Sequence, residues 1–252
     1  MKIQLIRNAT LVLQYAGRKF LIDPFLAEKG SIPPFPNTPN QDQSNPLVSL
    51  PSSIEEIIDV DAVIVTHLHP DHFDEVAKEV LPKDIKIFAQ NEHDVEAIKK
   101  DGFYNAESLH PAAYMGEIRL TRTNGQHGIG EITKFTGEVS GVVFHHPDEQ
   151  TLYVAGDTVW CGDVEEAIHT HHPDVIIVNG GAAQFLEGGP IIMTKEDIYK
   201  THQAAPQATM IVCHMEALNH CLLTREELNR FIDENGISNH IFVPSDGETY
   251  TL

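Results

Sequence analysis

The chain opens on short apolar runs broken by turn signals: Ile3 to Ile6, Leu11 to Tyr15, and Lys19 to Ile22, the last closing on Asp23-Pro24. Gly17 stands in the turn before the third run. Such runs predict meandering antiparallel strands. Ala62 to Thr66 is an apolar, β-branched stretch suited to a buried strand, and Phe73 to Val80 has helical spacing. The alternation continues with a strand over Ile85 to Ala89 and a helix over Asp94 to Lys100. The middle is strand-rich, with runs at Glu117 to Thr123, Glu138 to His145 and Leu152 to Ala155.

The last third predicts a strand at Val175 to Val178, a helix over Lys195 to Gln203 begun by Thr194, a strand at Met210 to Cys213, and a helix over Arg225 to Glu234. Thr224, followed three residues on by Glu227, reads as a capping-box start for that last helix. A final pair, His240 to Val243 and Glu248 to Leu252, flanks Pro244-Ser245-Asp246-Gly247, a hairpin signal. Helices and strands in this mixture imply an α/β fold without long repeats. At 252 residues, a single domain spanning 1–252 is expected. One stretch breaks the pattern. Leu26 to Pro51 is polar and proline-laden, too long for a passive connection, and is expected to cover a substrate near the active site.

Composition narrows the functional classes. Apolar residues make up 41% and charged residues 21%, an ordinary globular balance. Acidic side chains outnumber basic ones 37 to 17, a formal charge of -20, so a nucleic-acid backbone would be repelled. The N-terminal residues lack the pattern of a signal peptide, and no apolar stretch reaches the roughly 18 residues of a membrane span. A cytoplasmic protein acting on a small molecule is expected, with no membrane or nucleic-acid partner. Three cysteines, Cys161, Cys213 and Cys221, form no metal or disulfide pattern, and a reduced, packed state is expected.

Fifteen histidines are the anomaly. Thr66-His67-Leu68-His69-Pro70-Asp71-His72 places three imidazoles and a carboxylate directly after a strand. In extended chain alternate side chains share a face, so His67 and His69 can converge on one ion. As the chain bends toward the next helix, Asp71 and His72 swing toward a second position, a pair of N/O sites suited to zinc or a related divalent metal. Further donors stand at strand ends and in loops: His127 between Gln126 and Gly128, Asp157 in Gly156-Asp157-Thr158, and His214 after Cys213. His220, six residues on, competes with His214 and is otherwise a candidate for proton transfer or substrate contact. His145, His146, His171 and His172 show no comparable placement and are expected to be solvated or structural.

In order and spacing, these motifs resemble the metallo-β-lactamase superfamily over nearly the whole chain, most of all the branch containing L-ascorbate-6-phosphate lactonase. The resemblance implies an αββα sandwich of two mixed sheets flanked by helices, with the site along one edge. It implies that His67, His69 and His127 hold one metal, that Asp71, His72 and His214 hold another, and that Asp157 bridges them. Asp23 matches a position that supports the site from behind. Asn8 departs from the pattern, since related members often carry histidine there. The implied activity is hydrolysis by metal-activated water, with Asp71 and His220 as catalytic groups and zinc, manganese or iron as the ion. A lactone or ester is the first substrate expectation and a small phosphodiester the second, with Arg7, Lys195 or Arg225 as phosphate donors. A non-catalytic metal-binding or diiron redox protein on the same fold is the rival class; diiron members typically carry Glu where this chain has His69. The lactonase branch often forms multimers, so a homo-oligomer fits.

Overall fold

A computed structural model describes residues 1–252. The strands are β1 (Lys2–Arg7), β2 (Thr10–Tyr15), β3 (Arg18–Ile22), β4 (Ala62–Val65), β5 (Lys86–Ala89), β6 (Ala106–Ser108) and β7 (Ala112–Met115). They continue with β8 (Ile118–Asn124), β9 (Ser140–His145), β10 (Leu152–Val154), β11 (Val175–Asn179), β12 (Thr209–Cys213), β13 (Ile241–Phe242) and β14 (Thr249–Thr251). The helices are α1 (Ile54–Ile57), α2 (Glu75–Val80), α3 (Glu92–Lys100), α4 (Thr133–Thr136), α5 (Gly162–His171), α6 (Lys195–Ala204) and α7 (Arg225–Glu234). No helix is long and apolar enough to cross a membrane.

Two seven-stranded sheets form, in the orders β14-β1-β2-β3-β4-β5-β6 and β13-β12-β11-β10-β9-β8-β7. Strands β1 to β3 meander antiparallel, as their short turns require, and β3 to β6 run parallel through helical crossovers. The second sheet repeats the division: β7 to β10 are antiparallel and β10 to β13 parallel.

The strand period of two explains the layers. On β4, Ala62 and Ile64 join the core between the sheets, while Val63 and Val65 face the helix layer. On β11, Val175 and Ile177 point inward, while Ile176 and Val178 pack with the second helix layer. Both faces are buried, hence the unbroken apolar runs. Phe20 and Phe144 meet across the central core with ring centroids 5.3 Å apart. The result is an αββα metallo-β-lactamase sandwich of two mixed sheets flanked by helices.

Three features depart from the sequence expectation. The C-terminal strands are not a hairpin: β13 pairs with β12 in one sheet and β14 with β1 in the other. Each finds a sheet edge that would otherwise stay unpaired, and Arg225 holds the crossing segment through the Pro244 carbonyl and Asp246. The capping box at Thr224 is half formed: Thr224 accepts from the Glu227 N–H, but the Glu227 side chain takes Lys195 instead. The reciprocal box forms at Thr194 and Asp197. Strands β6 and β7 and helix α5 were not expected. α5 starts without a side-chain cap and buries only Val164, Ala167 and Ile168.

Candidate metal centre

The strand ends of both sheets deliver their polar residues to one edge of the sandwich. His67, His69 and His127 form one group and Asp71, His72, Asp157 and His214 another; within each, the donor atoms lie within 4.8 Å of one another. Asp157 Oδ2 stands between the groups, 3.6 Å from His127 Nε2, 3.2 Å from His72 Nε2 and 3.6 Å from His214 Nε2. Asp71 Oδ2 lies 3.2 Å from His214 Nε2 and 3.6 Å from His72 Nε2. Of the two competing histidines, His214 joins the cluster, while His220 lines the cavity beside it.

Local backbone explains how each donor arrives. After β4 the chain closes a turn on the His69 carbonyl, which accepts from the N–H groups of His72 and Phe73. Gly156 has φ of 70°, and a Cβ there would lie 2.4 Å from the Ser140 carbonyl oxygen, so only glycine turns the end of β10 toward the site. His214 takes a φ of 60°, swinging its ring off the end of β12.

Behind almost every donor stands a second group that fixes its orientation, as metal ligands require. The Asp23 carboxylate accepts from the Thr66 N–H and hydroxyl, both at 2.8 Å, and sits 2.9 Å from His72 Nδ1. His127 Nδ1 lies 2.8 Å from the Ile191 carbonyl. Asn179 donates to Asp157 Oδ1 at 2.6 Å, and the Cys213 thiol donates to Asn179 Oδ1. Cys221 Sγ is 3.6 Å from His214 Nδ1. Asn8 donates to the Asp71 carbonyl at 3.1 Å. Asn179 and the role of Asn8 escaped the sequence reading. Asn179 carried a signal, since it ends its strand as Asp157 and His214 follow theirs.

Electrostatics divide the cluster. Burial, reinforced by the neighbouring imidazoles, holds His67 well below the ordinary histidine value, and burial also lowers His127. Burial opposes charge on His72, but Asp157, Asp23 and Asp71 override it and raise the ring to about 10. His214 is raised in the same way against burial, chiefly by Asp157. Both carboxylates are correspondingly lowered, as His72 and His214 overcome the cost of burial. Burial pushes His220 down to about 4.

A cavity of about 230 Å³ opens onto this edge, lined by His69, Asp71, His127, Asp157 and His220 and walled by Phe35, Phe135, Phe185 and Ile191. Phe35, Pro36 and Thr38 bring the proline-rich segment to it. His145 and His172 are exposed, and they and His146 and His171 lie outside the cluster. The phosphate donors considered from sequence are committed elsewhere. Arg7 donates to the carbonyls of Val48, Phe25 and Ala27, Lys195 to Glu227, and Arg225 to Glu216 and Asp246.

The family model described as the Beta-lactamase superfamily domain matches residues 18–215. The chain belongs to this superfamily. Within it, this hydrolase is 58% identical to the UPF0173 protein YddR of Bacillus subtilis, over 100% of both chains. It is 24% identical to a UPF0173 metal-dependent hydrolase of Rubrobacter xylanophilus, over 92% of this chain and 88% of that one. Among solved structures it is similar to an isothiocyanate hydrolase from Delia radicum gut bacteria, at 44% identity and a TM-score of 0.96, covering 100% of this chain and 99% of the other.

Proposed function

We propose that this superfamily member hydrolyses a small, uncharged electrophile, an isothiocyanate first among them, at a dinuclear metal centre. The observation that carries the reading is the cavity: its floor is the His/Asp cluster, its walls are aromatic and aliphatic, and no lysine or arginine lines it. Beyond the ions themselves, an anionic phosphodiester would find no side-chain cation there. The 44% identical relative described as an isothiocyanate hydrolase supports the same substrate class.

The residues fit a pair of divalent ions. Nε2 of His67 is buried without a hydrogen-bond partner, an arrangement that costs stability unless something binds there, and Nε2 of His72 faces only the carboxylates of Asp157 and Asp71. Mixed imidazole and carboxylate donors suit zinc, with manganese or iron as alternatives. His67, His69 and His127 would hold one ion, Asp71, His72 and His214 the other, with Asp157 shared. When bound, such a pair supplies an activated water near neutral pH and polarises the bond under attack.

The chain's own groups do the rest. Asp71 Oδ2, at the cavity edge, accepts a hydrogen bond from the attacking water and orients it. The apolar walls bind the substrate side chain and exclude bulk water. His220 lines the cavity with an unpartnered Nδ1; kept neutral by burial, it takes a proton from the added water at that atom and passes it to the departing nitrogen. Water adds across the isothiocyanate carbon, the carbon–nitrogen bond breaks, and the products are an amine and carbonyl sulfide.

Metal content by elemental analysis, with turnover of benzyl isothiocyanate, a lactone and bis(p-nitrophenyl) phosphate, tests this in the native chain and in His69→Ala. The expected result is about two ions per chain, fastest turnover of the isothiocyanate, and loss of metal and activity together in the variant. Faster turnover of the lactone would return the reading to carbonyl esters, and a native chain that takes up neither zinc nor manganese would refute the metal centre.

A further inference from the structure

Asn219, next to His220, is buried and commits all its polar capacity to one distant segment. Its N–H donates to Asn45 Oδ1 at 2.9 Å, and its carbonyl accepts from Asn40 Nδ2 at 2.8 Å. Its side-chain nitrogen donates to the Thr38 hydroxyl oxygen at 2.8 Å and to the Pro39 carbonyl at 2.6 Å. Its side-chain oxygen accepts from Asn45 Nδ2 at 2.9 Å and from the Phe35 N–H at 3.3 Å. An asparagine has two side-chain donors, an acceptor with two lone pairs, and one backbone donor and acceptor; here every one is used.

The segment so held, residues 35–45, contains no helix or strand; its backbone is paired at its far end, where Asn45 and Ile32 form an isolated antiparallel bridge, and the stretch that carries Phe35 has no ladder of its own. What remains inside it is local: the Thr38 hydroxyl and Gln41 Nε2 both donate to the Phe35 carbonyl. Phe35 then stands edge-on to the His220 ring, with centroids 5.1 Å apart. From the far side the Leu186 N–H donates to the Asn37 carbonyl, joining this wall to the one that carries Phe185.

We infer that Asn219 is a positioning residue for substrate selectivity: by knotting residues 35–45 to the His220 turn, it fixes Phe35 as the wall against which the substrate's apolar group packs. The selectivity claim rests on the reading of this cavity as the substrate site; the knot itself does not. Asparagine fits the task because leucine, of similar shape, would leave the Pro39 carbonyl, the Phe35 N–H and the Asn45 side-chain amide without these partners. Phe35 contributes the wall and Asn219 the rigidity that makes the wall selective.

The experiment compares zinc-loaded native chain with Asn219→Asp, Thr38→Val and Phe35→Ala. Asn219→Asp removes the two side-chain donors, and Thr38→Val keeps shape while removing one of their acceptors together with the hydroxyl's own bond to the Phe35 carbonyl, which leaves a usable variant if the first fails to fold. Two quantities are read: amide hydrogen exchange across residues 35–45, and the ratio of kcat/KM for benzyl over methyl isothiocyanate. Exchange in that segment is expected to quicken about tenfold in Asn219→Asp and less in Thr38→Val, with the His67 to His72 turn unchanged. The benzyl-to-methyl ratio is expected to fall about tenfold in Phe35→Ala and in Asn219→Asp, mainly through KM for the benzyl substrate, with metal content kept.

Unchanged exchange in both knot variants overturns the positioning role whatever the substrate proves to be. Quickened exchange with an unchanged ratio overturns the selectivity role. If the native chain turns over neither isothiocyanate, the functional reading fails separately, and the ratio is taken on a long- and a short-chain lactone instead.

Discussion

Asn8 and His214 hold each other across the two sheets. The His214 N–H donates to the Asn8 carbonyl at 2.8 Å, and Asn8 Nδ2 lies 3.5 Å from His214 Nε2. Both residues sit in the left-handed region, with φ of 57° and 60°. Asparagine tolerates that conformation, and its side chain also holds the Asp71 backbone, so one residue ties the first sheet to two donors of the cluster. Asn8→Ala is expected to cost roughly 1–2 kcal/mol in backbone strain and to loosen metal binding about tenfold. Asn8→Gly should recover the stability and not the metal affinity. Urea titration and metal content after dialysis against a chelator separate the two effects.

Asp23 acts on His72 through the ring's tautomer. With a carboxylate 2.9 Å from Nδ1, the proton on Nδ1 is held in place, and the Nε2 proton is the one a cation displaces. In Asp23→Asn an amide can present its nitrogen to the ring and favour the opposite tautomer. The expected result is a fold near the native one by circular dichroism, with metal affinity reduced about 10- to 100-fold. Native affinity in this variant, by competition with a chromophoric chelator, would count against the orienting role.

Gly156 fixes where Asp157 arrives. A methyl group there would overlap the Ser140 carbonyl, on a backbone angle that L residues rarely adopt. Gly156→Ala is expected to lose roughly 1–3 kcal/mol of stability and, because the carboxylate shared by both donor groups moves, most of the bound metal. Thermal unfolding with and without added zinc checks this: native protein gains stability from the ion, and the variant gains little.

Tyr15 joins the sheets at the end away from the cluster, its hydroxyl lying 2.9 Å from the Gln150 carbonyl and 3.2 Å from the Phe144 carbonyl. Burial, helped by Glu149, pushes the phenol above its ordinary value. The folded chain therefore holds this proton more tightly than the unfolded one. The stabilisation is complete below the unfolded value of about 10 and is lost as pH rises toward the folded value. Tyr15→Phe should be about 1 kcal/mol less stable at neutral pH and should lose less than the native chain on going to alkaline pH. Urea midpoints across that range measure it.

Much of this site was legible because its chemistry is local. His67, His69, Asp71 and His72 fall within six positions after an apolar strand, and the strand period alone sets their directions. Asp157 and His214 follow their strands in the same manner, so the layered fold and the candidate donors could be read from pattern, with His220 left as a competitor of His214. The Thr194 start of α6 was equally local. What failed depended on distant partners: β13 and β14 look like a hairpin in sequence, yet each is drawn to a different sheet edge by hydrogen bonds with strands far off in the chain.

The sequence by itself determined which residues could serve as donors and most of the segments that are strands and helices, because those depend on side-chain type and on periods of two and 3.6. Only the tertiary structure decided that His214 and not His220 joins the donors, that Asp157 stands between the two groups, and that Asn8, Asn179 and Asn219 act on the site. Those outcomes depend on which strand ends meet at one edge of the sandwich. Contacts separated by more than a hundred residues are set by the packing of two sheets and leave no period in the chain.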